Sequence, residues 1–276
     1  EPVYPIADMA AETGFPTEDL SRWARIIQRK GQAILYGPPG TGKTFLAEHL
    51  ARHLSGGGDG FWDLVQFHPA YAYEDFIQGI RPLSQLGGSL HYGLVPGRFL
   101  EFCRLAETRQ SPCVLVIDEI NRANLARVFG ELMYLLEYRE QAIPLAGGGL
   151  LQIPGNVRLI GTMNTADRSI AVVDQALRRR FGFIPLSPSE AVLRHFHRDS
   201  EFPIERIIKV FQRINAAIGE WSYYLGYSFL LRENLSEHLA DIWQMEIEPY
   251  LEEYFFDQPE QVDPFRWDRV ASEVLP

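Results

Sequence analysis

The chain has 276 residues, of which 46% are hydrophobic and 22% are charged, and its formal net charge is −10. This length and apolar content suffice for one large hydrophobic core or for a large and a smaller one. No apolar stretch approaches the roughly 20 residues that a membrane-spanning helix needs, so we expect no membrane contact.

Negative charge is concentrated in the C-terminal third. Residues 1–187 carry 18 basic and 19 acidic side chains, a net charge of −1, whereas residues 188–276 carry 8 and 17, a net charge of −9. Such a surface repels phosphate backbones, so any contact with nucleic acid would be made by another domain, a partner or a local arginine cluster. A merely solvated helical surface is the simpler interpretation of the acidic charge. The start at Glu1, with no signal-like region, is typical of a segment excised from a longer protein.

The first apolar run, Ala33 to Tyr36, predicts a buried strand, and a glycine-rich segment follows it directly. The letters GPPGTGKT satisfy the phosphate-loop pattern, in which backbone N–H groups approach phosphate oxygens, a lysine reaches the β and γ phosphates and a hydroxyl holds Mg²⁺. Residues 44–54 predict a helix whose N-terminus favours the phosphate charge. The predicted nucleotide-binding residues are Gly37, Pro38, Pro39, Gly40, Thr41, Gly42, Lys43 and Thr44, with Thr44 also at the metal.

Two carboxylates follow a later apolar run, residues 112–117. Asp118 and Glu119 would therefore lie at the carboxyl end of a buried strand, where open α/β sheets bind ligands. We expect Asp118 to hold Mg²⁺ through its water shell and Glu119 to deprotonate the water that attacks the γ-phosphate. An isolated Asp-Glu pair would be an exposed turn, but a preceding phosphate loop favours the catalytic interpretation.

Polar candidates also follow the next apolar run, Val157 to Gly161. Asn164 comes just past its end and is a candidate for holding the attacking water or the γ-phosphate opposite Lys43. Residues 174–181 predict a helix that ends in three arginines, one of which is a candidate finger toward a neighbouring subunit's phosphate. Alternatively, these cations stabilise the helix dipole.

Strand-like runs alternate with helical stretches as far as Leu186, which predicts an α/β fold with a parallel sheet covered on both faces. After Pro188 apolar residues recur only at helical spacing, in 191–197, 204–218 and 235–254. We therefore expect an α/β domain at residues 1–187, with hairpins inserted near 86–97 and 143–155, and a small all-helical domain at residues 188–276.

The segments GPPGTGKT, DEINRAN, MNTADRS and VDQALRRRF, together with FHPAYAYEDFIQGIRP, resemble the McrB family of AAA+ proteins. The resemblance covers nearly the whole chain. It implies an AAA+ αβα sandwich with a helical lid, a homo-oligomeric ring of six subunits, and GTP or ATP hydrolysis with Mg²⁺. It further implies a cytoplasmic motor of a DNA restriction complex that works with a separate McrC-like nuclease subunit and meets DNA indirectly.

By the same resemblance, Asp118, Glu119 and Asn164 take the magnesium, base and sensor roles, and Arg179 or Arg180 is the arginine that acts in trans. The segment GYSF at 226–229 resembles the family's lid motif. Tyr227 departs from it, since a histidine or a charged sensor is expected there, so no lid sensor is assigned.

The choice of nucleotide stays open between GTP and ATP. McrB relatives use GTP, which gives GTP a slight advantage, whereas most AAA+ proteins use ATP. Residues 164–167 superficially resemble the NKxD guanine reader of small GTPases. If Asn164 faces the γ-phosphate, however, Asp167 cannot also reach a base at the other end of the ligand.

For the remaining tyrosine, histidine and cysteine residues, a structural role is either one of two interpretations or the expected one. Tyr71 and Tyr73 form a pore-facing loop or pack beneath an inserted hairpin, with equal support. His49 and His53 are expected at the surface, and no zinc site is predicted. Two reduced core cysteines of a cytosolic protein are expected, Cys103 and Cys113.

Three classes of function remain. The leading one is the nucleotide-hydrolysing motor of a restriction complex, and the second is a MoxR-like chaperone ATPase that remodels protein complexes. The third, a nucleotide-gated scaffold without turnover, requires a defective site and is disfavoured by Lys43, Glu119 and Asn164. None of the three lysines has an acid two residues before it, so DNA cleavage would be done elsewhere.

Overall fold

The computed structural model describes residues 1–84, 90–167 and 175–275. Nine strands are found within these ranges: β1 Gln32–Gly37, β2 Trp62–Gln66, β3 Gln78–Ser84, β4 Leu90–Pro96, β5 Cys113–Asp118, β6 Ile143–Pro144, β7 Leu150–Leu151, β8 Val157–Asn164 and β9 Gly182–Pro185. Five of them form one sheet in the order β2-β5-β8-β1-β9, and every pair in it is parallel. The predicted parallel sheet is therefore confirmed.

Helices cover both faces of this sheet. The helices of the α/β part are α1 Ile6–Thr13, α2 Thr17–Lys30, α3 Lys43–Ser55, α4 Tyr73–Phe76, α5 Arg98–Ala106, α6 Leu125–Phe129, α7 Leu132–Leu135 and α8 Gln175–Arg180, with a 3₁₀ turn at Ile120–Arg122. Neighbouring residues of β1 point to opposite faces: Leu35 packs with α1, α2 and α3, whereas Ile34 packs with Phe76, Phe99 and Phe129. This alternation is the period of two that a doubly covered strand requires.

The remaining helices build a second core. They are α9 Glu190–Phe196, α10 Ile204–Ile218, α11 Leu235–Ile242, α12 Glu248–Tyr254 and α13 Trp267–Val274, with 3₁₀ turns at Trp221–Tyr223, Ser228–Leu230, Pro259–Gln261 and Asp263–Phe265. The buried Trp243 lies at its centre and donates to the carbonyl oxygen of Phe265 over 2.7 Å. The predicted helical lid is thus present as a separate hydrophobic cluster.

The predicted helix 235–254 contains a local irregularity. Residues Trp243–Ile247 form a π-helical turn between α11 and α12. Pro249 lies two residues after this turn and has no N–H to donate to the carbonyl group four residues before it, which explains why α-helical pairing is interrupted there. Residues 235–254 are helical throughout, as their apolar spacing predicts, and the π-helical turn is a local change of hydrogen-bond pairing within that range.

Two antiparallel hairpins extend from the α/β part. β3 pairs with β4 from Gln78 opposite Pro96 to Ser84 opposite Leu90, and β6 pairs with β7. The first hairpin begins at Gln78, earlier than the segment 86–97 that glycine content indicated. The tip of that predicted segment, up to residue 89, lies outside the described residues.

Tyr71 and Tyr73 are half-buried and pack against the core beneath the sheet. Tyr71 stacks on Phe67 with ring centroids 4.6 Å apart. Both tyrosine hydroxyl oxygens are enclosed, and that of Tyr73 lies beside the Glu131 carboxylate. These contacts support the packing interpretation of the two rings over a pore-facing one.

The expectation that His49 lies at the surface is wrong. Its side chain is buried, and its Nδ1 lies 2.6 Å from the hydroxyl oxygen of Tyr4. The cause is α1, which covers this face of α3, so the preceding segment buries a residue that the phosphate-loop helix alone would expose. Both cysteines are free and buried, as predicted. Within the described ranges, no helix has the length and apolar character to cross a membrane.

Candidate active site

The phosphate loop connects the end of β1 to the start of α3. Gly40 and Gly42 adopt φ angles of +73° and +79°, which favour glycine because side chains with a Cβ atom are strained there. The Nζ atom of Lys43 donates to the carbonyl oxygen of Pro38 over 2.7 Å. Burial lowers the pKa of Lys43 to about 8, against the opposing effect of nearby Glu119 and Asp118. The predicted order of strand, loop and helix is present.

A hydroxyl and a carboxylate form the candidate metal site beside this loop. Thr44 Oγ1 donates to Asp118 Oδ1 over 2.7 Å, and Thr162 Oγ1 donates to the same oxygen over 2.6 Å. Asp118 is 8% exposed, and Gln66 approaches its second oxygen at 3.4 Å. Magnesium prefers oxygen ligands of this kind and completes its shell with water and phosphate. The residues present therefore fit the predicted ion.

Glu119 has an unusual backbone conformation and a partly buried carboxylate. Its φ and ψ angles are 53° and 44°, a left-handed conformation that is uncommon for a residue with a side chain and recurs at functional sites. Among residues 1–84, 90–167 and 175–275, no group donates a hydrogen bond to the buried Oε2 atom, and the nearest cation is Arg122 Nε at 3.4 Å. Burial raises the pKa of Glu119. A carboxylate with a free acceptor and a raised pKa is suited to taking a proton from water.

Asn164 is the last residue of β8 and lies opposite Gly37 of β1, directly beside the phosphate loop. Its Oδ1 atom accepts from the N–H of Ala166 at 3.2 Å, and Thr165 N–H donates to Gly37 O at 3.0 Å. Lys43, Thr44, Asp118, Glu119 and Asn164 thus gather at one edge of the sheet, as their positions after parallel strands predict.

Three further polar residues of this edge, Thr162, Asn121 and Arg122, were not singled out from the sequence. Thr162 accepts from the N–H of Glu119 at 3.1 Å, and Asn121 Nδ2 donates to the carbonyl oxygen of Asn164 at 3.2 Å. Arg122 lies 3.4 Å from Asp167 as well as from Glu119. Asn121 and Arg122 lie within the quoted DEINRAN segment, so their sequence signal was present but gave no individual role.

The arginines of α8 lie far from the phosphate loop of their own chain. Gly182, just after them, pairs with Ala33 at the start of β1, whereas the loop follows the end of β1 at Gly37, about 13 Å along the strand. Arg180 is 11% exposed and pairs with Glu137 over 2.8 Å. Arg179 is 65% exposed and lies 3.2 Å from the same carboxylate. The structure therefore separates a largely buried arginine from an exposed one.

Two cavities flank the phosphate loop. The first, of about 340 Å³, is mostly apolar and is called the nucleoside pocket; it is lined by Glu12, Thr13, Phe15, Gly40, Thr41, Gly42, Phe45, Ser189, Val192, His195, Phe196, Tyr227, Ser228 and Leu231. The second, of about 420 Å³, is called the tyrosine cavity; it is lined by Pro39, Asn164, Ala166, Asp167, Tyr223, Tyr250, Glu253 and Tyr254. Asp167 lies in the cavity on the Asn164 side, away from the nucleoside pocket.

This fold, with the phosphate loop and polar residues at the carboxyl edge of its sheet, defines a phosphate-loop nucleotide-binding protein with a helical lid. The chain matches the family model of the AAA domain (dynein-related subfamily) over residues 32–181 and that of the McrB α-helical lid domain over residues 206–263. It belongs to the AAA family and is McrB-like.

The chain is similar to three curated proteins and spans less than two thirds of the length of each. The chain is 36% identical over 299 residues to the type IV methyl-directed restriction enzyme EcoKMcrB subunit of Escherichia coli (strain K12), covering 99% of this chain and 63% of that protein. It is 29% identical over 189 residues to the type II restriction enzyme BsuMI component YdiS of Bacillus subtilis (strain 168), covering 54% and 55%. It is 29% identical over 118 residues to the Lon protease of Campylobacter jejuni, covering 41% and 13%.

Proposed function

We propose that this chain is the nucleotide-hydrolysing motor unit of an McrB-like restriction complex. The observation that carries the proposal is the meeting of Lys43, the Thr44 and Asp118 oxygens, Glu119 and Asn164 at the carboxyl edge of the sheet. A nucleoside triphosphate bound on the loop would place its γ-phosphate among these groups. Thr44 and Asp118 would hold Mg²⁺, which would supply positive charge to the phosphate oxygens.

In the proposed reaction, the chain's residues position and deprotonate water. Glu119 takes a proton from the water, whose oxygen forms a bond to the γ-phosphorus. The bond between that phosphorus and the β,γ-bridging oxygen breaks, and the nucleoside diphosphate leaves. Lys43 stabilises the phosphate charge, and Asn164 orients the water or the γ-phosphate.

We further propose that the chain forms a homo-oligomeric ring of six subunits in which Arg179 completes the neighbouring site. The position of α8 at the far end of β1 supports action in trans, because the arginines are remote from the loop of their own chain. The exposure of Arg179 supports it over Arg180, whose guanidinium is held against Glu137.

For the base, we propose guanine rather than adenine. Glu12 is the carboxylate among the residues that line the nucleoside pocket. An ionised carboxylate only accepts hydrogen bonds. Guanine offers it two adjacent donors, N1–H and the N2 amino group, whereas the Watson–Crick edge of adenine offers the N6 amino group alone. The resemblance to McrB relatives points the same way. ATP remains the alternative that the assay decides.

The partner and the route to DNA are proposed from the relatives. The chain is similar to restriction subunits, and the C-terminal third is acidic, so DNA would be engaged through a domain outside this segment or through an McrC-like nuclease subunit. A cytoplasmic location follows from that role.

Turnover of GTP and of ATP, measured with and without the McrC-like protein, tests the proposal. We expect Mg²⁺-dependent release of phosphate from GTP in preference to ATP and a strong stimulation by the McrC-like protein. Stimulation by protein-complex clients instead would favour the MoxR-like alternative. Absence of hydrolysis of either nucleotide at ring-forming concentrations would refute the proposed activity.

A further inference from the structure

The lid touches the phosphate loop through its backbone. The N–H of Gly226 donates to the carbonyl oxygen of Pro39 over 3.0 Å, and the N–H of Ser228 donates to that of Gly40 over 3.1 Å. We call these two hydrogen bonds the lid clasp. The segment that makes them is the one in which Tyr227 replaces the expected charged sensor.

Space at the lid clasp permits only glycine at position 226. A Cβ atom on Gly226 would lie 2.1 Å from the carbonyl oxygen of Gly40 and 2.6 Å from that of Pro39. On the other side, a Cβ atom on Gly40 would lie 3.0 Å from Ser228 Oγ and 3.2 Å from the Cα of Gly226. Two backbones in such close approach require the absence of side chains on both.

The lid segment is fixed on its own domain by several contacts. Asn215 of α10 accepts from the N–H of Leu225 at 2.7 Å and donates to its carbonyl oxygen at 3.1 Å. The ring of Tyr227 is buried and stacks on Phe211 with centroids 5.2 Å apart. The clasp therefore joins the phosphate loop to a rigid part of the lid.

The clasp also determines where the N–H groups of Gly40 and Thr41 point. No peptide bond in the described residues is cis, so each N–H points opposite to the preceding C=O. Since the carbonyl groups of Pro39 and Gly40 point to the lid, the N–H groups of Gly40 and Thr41 point away from it. Within the described residues neither N–H donates to another backbone group, so both are left for an anion.

We infer that the lid positions the phosphate loop through the clasp, with Gly226 as the contact residue and Asn215 as the positioning residue that holds the segment in place. The clasp orients the Gly40 and Thr41 N–H groups toward the phosphates of the bound nucleotide. It thereby performs, with backbone groups, the task for which a charged side chain would be expected at Tyr227. This inference rests on the proposed function.

Gly226→Ala tests the inference directly, because the added methyl group meets only phosphate-loop atoms among its three nearest contacts. We expect the affinity for fluorescently labelled GTP and GDP to fall about tenfold each. The affinity for guanosine, measured by competition, should change less than twofold, because it has no phosphates. The KM for GTP should rise, with the melting temperature without nucleotide close to that of the control. Gly155→Ala is the matched control, since no atom lies within 4 Å of an added Cβ there.

Asn215→Asp provides a second variant in case Gly226→Ala folds poorly. Aspartate still accepts from Leu225 N–H but offers no donor to its carbonyl oxygen, so we expect a smaller loss of GDP affinity, about threefold. Unchanged GDP affinity in both folded variants would overturn the inference. An equal loss for guanosine and GDP would also overturn it, because the clasp would then shape the nucleoside pocket. If the unmodified chain binds GDP but hydrolyses nothing, the proposed function fails while the affinity test of the clasp still stands.

Discussion

Replacing Arg179 and Arg180 separately by alanine should give opposite phenotypes. Arg180 is 11% exposed, and its ion pair with Glu137 spans 2.8 Å, so its loss should cost about 2 kcal/mol, as for a hydrogen bond to a charged group. For a chain of this size, that lowers the melting temperature by about 4–8 °C. Arg179 is 65% exposed, and its pair with the same carboxylate contributes between about 0 and 1 kcal/mol. Its loss should leave the melting temperature nearly unchanged and reduce turnover about 10³-fold.

A mixing assay distinguishes action in trans from action in cis. Arg179→Ala subunits retain an intact phosphate loop, and Glu119→Gln subunits retain an intact arginine. If Arg179 completes the neighbouring site, mixed rings of the two inactive variants should recover part of the turnover, whereas either variant alone should not. The reasoning is refuted if Arg180→Ala is as stable as the unmodified chain but inactive, or if no mixture recovers turnover at concentrations where rings form.

Glu119→Gln should still bind nucleotide but lose about 10²–10⁴-fold in hydrolysis, because an amide cannot take the proton; unchanged turnover in a phosphate-release assay would remove Glu119 from that role. Thr162→Val should lower kcat about tenfold or more, since it removes the bond to Asp118 Oδ1 and the acceptor for Glu119 N–H, with Thr162→Ser as the control that keeps both. Burial lowers the pKa of His49 in the folded chain below its unfolded value of about 6.5, so the unfolded state binds more protons and stability should fall as the pH drops through about 6.5. Melting temperatures of the unmodified chain and of His49→Gln over this pH range check it, and parallel curves would contradict the expectation.

The catalytic edge could be predicted from the sequence because each of its residues follows a local signal. Asp118, Glu119 and Asn164 come at the ends of apolar runs, and parallel strands bring their carboxyl ends to one edge whatever the intervening chain does. The strand register then places Asn164 opposite Gly37. The position of each polar residue after an apolar run was sufficient to predict this part of the site.

The nucleoside pocket and the clasp could not be predicted in the same way. The pocket combines Phe15 near α1, Phe45 on α3 and Val192 on α9, residues that no shared periodicity connects. The prediction that His49 lies at the surface was wrong for the same reason, since its burial depends on α1 packing across α3. Contacts between elements distant in the chain depend on the packing of whole helices, which a single sequence does not display.

Besides the clasp, a second hydrogen bond connects the lid with the catalytic edge. Thr165, next to Asn164, donates from its hydroxyl to the carbonyl oxygen of Ser222 over 2.8 Å, four residues before Gly226 in the lid. One contact is therefore made to the phosphate loop, and the other is made to the residue that follows the end of β8. A change at either place alters the lid through short backbone connections, because Ser222 and Gly226 belong to the same segment between α10 and α11. We therefore expect a lid held at these points to respond, through backbone contacts, to the occupancy of the proposed triphosphate site.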